Sequence, residues 1–156
     1  MSRSPRPSGP DRSPRPSGPA GRTGPDRPST RTRGRASEDL AASYLESRGL
    51  VVCARNVTLS GAELDLVARI DPTGEREPVT IVFVEVRSRA DTRAGHPLET
   101  IGPDKQRRLR RAATAWLVQQ ELWERVAVRF DVVAIVVGTD EQAPEITWIA
   151  GAFDAA

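Results

Sequence analysis

Cysteine, histidine and lysine each occur once in the 156 residues, as Cys53, His96 and Lys105, and aromatic residues make up only 4%. A lone cysteine excludes an internal disulfide, and one cysteine with one histidine cannot build a Cys/His zinc centre. Any metal must therefore be held mainly by oxygen ligands. Long apolar runs are missing too. The longest, Val132 to Val137, falls far short of the roughly 18 residues that a membrane-spanning helix needs. The arginine-rich amino terminus leads into no apolar stretch, so no secretory signal is expected, and the sequence predicts a cytoplasmic protein with no membrane partner.

Charge is present in abundance but unevenly. The net value of +2 hides a basic segment, residues 1–33, which holds eight arginines, two aspartates and eight of the 13 prolines, ahead of a net acidic remainder. That segment repeats itself, RSPRPSGPD at 3–11 and RSPRPSGPA at 12–20. It has almost nothing apolar to bury, so it is expected to be a disordered Arg/Pro/Ser/Gly-rich arm with polyproline II character. Such an arm either holds polyanions through counterion release or serves as a solubilising tail. Residues 34–156, with ample apolar content, are expected to form one α/β domain.

Within the domain, Ser37 is placed to cap a helix, with Leu40, Ala41, Tyr44 and Leu45 at helical spacing and Gly49 as its stop. Residues 50–57 and 63–70 read as strands of a hairpin around Leu59-Ser60-Gly61, and VTIVFVEV at 79–86 as a central strand. After a polar loop from 88 to 102, Pro103 and Asp104 open a helix with an apolar stripe of Leu109, Ala112, Ala113, Trp116 and Leu117. Lys105, Arg107, Arg108 and Arg111 fall on its other side. Residues 126–137 and 145–149 supply two more strands. The order predicts a central mixed five-stranded sheet flanked by helices.

On the 79–86 strand, alternation puts Ile81, Phe83, Glu85 and Arg87 on one face and Val82, Val84 and Val86 on the other. An ionised Glu85 at the end of a strand apolar on both faces is costly unless a cation compensates it. Asp65, in the neighbouring strand, can approach Glu85 so that the pair holds one hard cation, with Mg²⁺ the natural choice for carboxylate, carbonyl and water oxygens. Exposed cross-strand ion pairs, Glu85 with Arg55 or Asp65 with Arg87, account for the same residues without a metal. His96 reads as structural or solvent-facing, Asp131 as a partner that orients an arginine, and Trp116, Trp123 and Trp148 as packing residues.

The segments GAELDLVA (61–68), VFVEVRSR (82–89), the K-x-x-R-L helix (105–109) and RFDVVAI (129–135), with the opening G-R-x-x-E-x-x-A (34–41), resemble the YraN-type proteins of the PD-(D/E)XK superfamily. That superfamily has the restriction-endonuclease-like fold and includes Holliday-junction resolvases. The resemblance spans residues 34–154 and leaves the arm unmatched. It implies a Mg²⁺- or Mn²⁺-dependent DNA endonuclease acting on branched or damaged DNA, with Asp65, Glu85, the Val86 carbonyl and Glu38 around the metal. A resolvase-like role also favours a twofold homodimer.

Two positions depart from the family pattern. Ala62 stands where glycine usually precedes the glutamate, and Arg87 replaces the motif lysine. A guanidinium stays protonated, so Arg87 can stabilise anions but cannot serve as a general base. Lys105, the chain's single lysine among 23 Lys and Arg residues, is accordingly expected either to reach the site and take over that role or to be a solvated helix-start residue. Arg107, Arg108 and Arg111 are candidate phosphate contacts. The rival to an enzyme is a catalytically weak or inactive nucleic-acid-binding module with a nuclease fold. A protein-binding domain whose arm is the functional element is the third option.

Overall fold

The computed structural model describes residues 30–89, 101–138 and 142–156. His96 lies outside the described residues, and so does residue 1–29 of the expected arm. The chain folds as α1 (Thr30–Ser47), β1 (Val51–Leu59), β2 (Ala62–Ile70), β3 (Thr80–Arg89), α2 (Pro103–Gln119), β4 (Ala127–Val136) and β5 (Glu145–Phe153). One open five-stranded sheet has the order β1-β2-β3-β4-β5. Every neighbouring pair is antiparallel except β3 with β4, which run parallel. A parallel pair needs a crossover, and α2 supplies it. This is the mixed, helix-flanked α/β sheet expected from the order of elements.

The period-2 pattern of β3 decides what covers each face. Ile81 and Phe83 join Leu109, Ala112, Ala113, Trp116 and Leu117 of α2 in one core, with Phe130 and Val132 of β4. Val82 and Val84 join Ala41, Ala42 and Leu45 of α1 in the other, with Val133 and Ile135. Aromatic packing runs across the first core. Trp116 meets Phe83 edge-on at 5.8 Å, and Phe83, Phe130 and Phe153 stack in series.

The turns follow from their residues. Leu59 pairs with Ala62, leaving a two-residue hairpin loop in which Ser60 and Gly61 have φ of 50° and 76°. Two consecutive positive φ values define the type I′ turn that suits strand twist. The glycine displaced from the usual family position thus supplies the second turn residue. Gly49, at φ 90°, ends α1: its N–H donates to the Glu46 carbonyl and that of Leu50 to the Leu45 carbonyl.

Three details correct the sequence reading. Ser37 is not a cap: α1 begins at Thr30, inside the stretch read as arm, and Ser37 is buried one turn before Ala41 on its inner face. Trp116 and Trp148 pack into the two cores, but Trp123 is exposed. Strand β5 runs on to Phe153, past Gly151, whose φ of 64° marks an irregularity opposite Asp131. Asp131 is fully buried there. It accepts two bonds from Arg129 at 2.8 Å, one from Trp148 Nε1 at 2.9 Å and one from the Gly151 N–H at 2.9 Å.

Candidate functional site

β2 and β3 pair from Ile70 and Thr80 down to Leu66 and Val84, and their pairing stops there. One residue further, Asp65 and Glu85 stand on the two diverging strands: Glu85 keeps the α2-facing alternation of Phe83, whereas the alternation of β2 breaks at Asp65, because Leu64 and Val67 both belong to the α2-side core and Leu66 to the other. Odd-numbered residues of β3 bond to β4, as the Val79 and Arg89 carbonyls do with the N–H groups of Ala127 and Val137. The N–H and carbonyl of Val86 are therefore directed toward β2, into the gap. The N–H donates to Asp65 Oδ2 at 2.8 Å.

The other neighbour of Asp65 is distorted as well. Asn56 of β1 stands opposite it, flanked by the pairs Arg55 with Leu66 and Val57 with Leu64, and has φ 51°. Asparagine is among the few residues that enter this region readily. Its Nδ2 donates to Glu38 Oε2 at 2.8 Å, fixing the first-helix carboxylate beside the opened strand. Sequence reasoning missed Asn56, although an asparagine inside a valine-rich strand was itself the signal.

Glu85 is only 8% exposed. Lys105, in the first turn of α2, donates its ammonium to Glu85 Oε1. Together these residues line a cleft of about 310 Å³, with Glu63 and Arg108 at its sides and Leu109 beneath. Glu63 also borders an adjoining polar cleft that holds Arg35, Glu38, Asp39, Arg55 and Asn56. The Asp65 carboxyl is pushed up to about 7, first by burial and then by the negative charge of Glu85. The Val86 N–H and Lys105 oppose the shift, and Glu38 adds to it.

The sequence-predicted residues separate into groups. Asp65, Glu85, Lys105 and Arg108 meet in the cleft, and the Val86 N–H bonds to Asp65. Glu38 lies in the adjoining cleft, near enough for its charge to be felt at Asp65. Arg87 follows Glu85 on the same face of β3, partly buried, and is not among the residues lining the cleft. Arg111 donates to the Ser60 carbonyl at 3.1 Å, tying α2 to the β1–β2 turn, while Arg107 pairs with Asp104 on the helix surface. The expected Glu85–Arg55 pair is replaced: Arg55 holds Asp39 at 2.7 Å and Lys105 holds Glu85. Asp131 orients Arg129, as expected of it, in the alternation of Val133 on the α1 face, opposite the cleft.

Two carboxylates lining one cleft, with a main-chain carbonyl directed to the same side of β3, are hard oxygen donors suited to a divalent cation. Among the described residues no group of three or more His, Cys, Asp or Glu side chains is gathered to hold a metal. The oxygen donors that could hold a cation here are Asp65, Glu85 and the Val86 carbonyl, with the remaining positions open to water or substrate oxygens. Burial and then the charge of Glu85 lift Asp65, and a cation between the two groups would relieve the repulsion. No helix among the described residues is long and apolar enough to cross a membrane.

A family model described as "Uncharacterised protein family UPF0102" matches residues 37–135. A UPF0102 protein of Pseudomonas aeruginosa is 39% identical over 125 residues, covering 80% of this chain and 94% of its own. Those of Acidothermus cellulolyticus and Anaeromyxobacter dehalogenans are 39% and 44% identical, covering 77% and 78% of this chain and 92% and 83% of their own. The match with the family model takes in Glu38, Asp65, Glu85 and Lys105 and leaves out the first 36 residues.

Proposed function

The chain belongs to the uncharacterised protein family UPF0102, and from that membership and the cleft at Asp65 and Glu85 we propose that it is a Mg²⁺- or Mn²⁺-dependent endonuclease. It hydrolyses phosphodiester bonds in DNA, with branched or damaged DNA as its substrate class. The observation that carries this reading is the parting of β2 from β3 at the two carboxylates, where the Val86 main chain turns into the gap.

Asp65, Glu85 and the Val86 carbonyl hold the cation. When bound, the cation supplies charge neutralisation at a phosphoryl oxygen and makes water a better nucleophile at neutral pH. Glu38, held by Asn56, orients water or substrate from the neighbouring cleft. Arg87 stabilises the anionic charge that builds on the phosphate, since a guanidinium does not give up its proton. Lys105 and Arg108 bind phosphate oxygens from the α2 side, and Arg111 extends this contact along the strand. A DNA substrate puts the protein in the cytoplasm, and a symmetric branched substrate favours a homodimer.

Arg87 in the motif lysine's place favours one second reading, a nucleic-acid-binding module that has lost turnover. A single assay separates the two. Wild type and Asp65→Ala are incubated with duplex, gapped, flapped and four-way-branched DNA in Mg²⁺, Mn²⁺ or chelator. Cleavage that requires metal and disappears in Asp65→Ala is the expected result. Retarded DNA without cleavage in either metal overturns the nuclease in favour of the binding module.

A further inference from the structure

The only lysine in a chain of arginines is the residue whose charge rests on Glu85, the more buried acid of the cleft. Its side chain is 41% exposed against 8% for Glu85, so the stem reaches in from the cleft mouth and only the head meets the carboxylate. The arginines around it are differently engaged, Arg107 with Asp104 and Arg111 with the Ser60 carbonyl. A cation in the first turn of a helix faces the positive end of the macrodipole, which disfavours it there unless a nearby anion compensates. Glu85 is that anion. Lysine also differs from arginine in kind, being a compact, strongly hydrated point charge on a flexible stem, whereas a guanidinium locks into a bidentate fork.

An ammonium and a divalent cation seek the same oxygens of Glu85, and the two charges repel each other when both are close. We infer that Lys105 is a tethered stand-in for the metal: without a cation its ammonium neutralises Glu85, and when a divalent cation occupies Asp65 and Glu85 the ammonium moves to a phosphate oxygen of the bound DNA strand. This rests on the reading of the cleft as a metal site. The exchange keeps the buried acid compensated in both states and delivers a positive charge to the substrate only after the metal has arrived. Lys105 is thereby a competitor of the cation at Glu85 and a contact for the substrate, without any need for proton transfer.

The two halves predict effects of opposite sign. Mn²⁺ affinity, measured by titration calorimetry without DNA, is expected to tighten by about tenfold in Lys105→Met, a change of about 1.4 kcal/mol. Arg108→Met removes a charge from the same cleft without touching Glu85 and is expected to change Mn²⁺ affinity by less than about threefold. Lys105→Arg is expected to keep Mn²⁺ binding at the wild-type level or weaker. In Ca²⁺, affinity for a four-way DNA junction is expected to fall by about fivefold or more in Lys105→Met, as for loss of a phosphate contact. Equal Mn²⁺ affinity in wild type and Lys105→Met, or the same gain in Lys105→Met and Arg108→Met, overturns the exchange and leaves the metal site standing. Mn²⁺ binding by neither wild type nor Lys105→Met overturns both.

Discussion

The main-chain N–H of Val86 donates to the side-chain carboxylate of Asp65 at 2.8 Å, a bond that continued pairing of β2 with β3 would have given to a main-chain carbonyl. Asp65 therefore serves two ends at once. It satisfies the strand where its neighbour departs, and it holds an acid against Glu85 where burial and like charge raise its pKa to about 7.

That shift sets a pH dependence for stability. A carboxyl raised from its ordinary value to about 7 on folding gives the folded state the tighter hold on its proton, so the stabilising effect is complete below about pH 4 and is lost as pH rises through about 7. Divalent cations bind the ionised form. The expected outcome is a rise in Tm on adding Mg²⁺ that is small at pH 5.5, grows through pH 7 and levels off by about pH 8. Asp65→Asn should remove this trend, and thermal melts across pH with Mg²⁺ or chelator measure it.

The buried Asp131 gathers Arg129, Trp148 and the Gly151 N–H on the far side of the sheet from the cleft. Asp131→Ala leaves a partly buried guanidinium and two donors without their acceptor, which is expected to cost about 3–5 kcal/mol. Urea denaturation of Asp131→Ala reads the loss. Mn²⁺ affinity of the folded variant should match wild type, because none of the residues lining the cleft bonds to this network.

The β1–β2 turn offers a milder test. Gly61 has φ 76° with open space around its missing Cβ, so Gly61→Ala is opposed by backbone conformation alone and should cost about 1–2 kcal/mol. A crowded position would cost more. Equilibrium unfolding of Gly61→Ala beside Gly74→Ala, a glycine outside the positive-φ region, isolates the effect.

Along α2, DNA binding should divide by position. Arg108→Ala and Arg111→Ala are each expected to weaken binding to all sequences alike and to reduce the salt slope of log K by about 1. Arg107, committed to Asp104 on the helix surface, should contribute less. Fluorescence anisotropy on duplex and branched oligonucleotides in Ca²⁺ over a range of NaCl checks all three.

Most of the architecture was legible because its signals are local and periodic. The stripe of Leu109, Ala112, Ala113, Trp116 and Leu117 is the buried face of α2, and the valines of 79–86 form the strand at the centre of the sheet. Asp65 and Glu85 could be brought near each other from the hairpin order of β2 and β3, and the alternation of β3 held, but that of β2 did not: Leu64, read as opposite Val67, packs on the same side as Val67, and Leu66 on the other. Ser37 misled because a good capping residue also fits a buried helix position beside alanines. Asn56 and Gly151 were missed for a different reason. Each interrupts a strand without ending it, and only pairing with a distant strand, opposite Asp65 for one and Asp131 for the other, reveals the interruption as part of the design of the sheet.

The parallel pairing of β3 with β4 joins residues far apart in the chain, Thr80 with Ala127 and Arg89 with Val136. During synthesis, β3 has no partner on that side until β4 has left the ribosome, and α2 cannot close its crossover before then. Loop-closing contacts of this length form late. Glu85 thus lies on a strand with one edge unpaired until nearly the whole domain has been translated. A nascent or truncated chain ending before Ala127 carries every acid of the cleft on a β3 whose β4 edge has no partner.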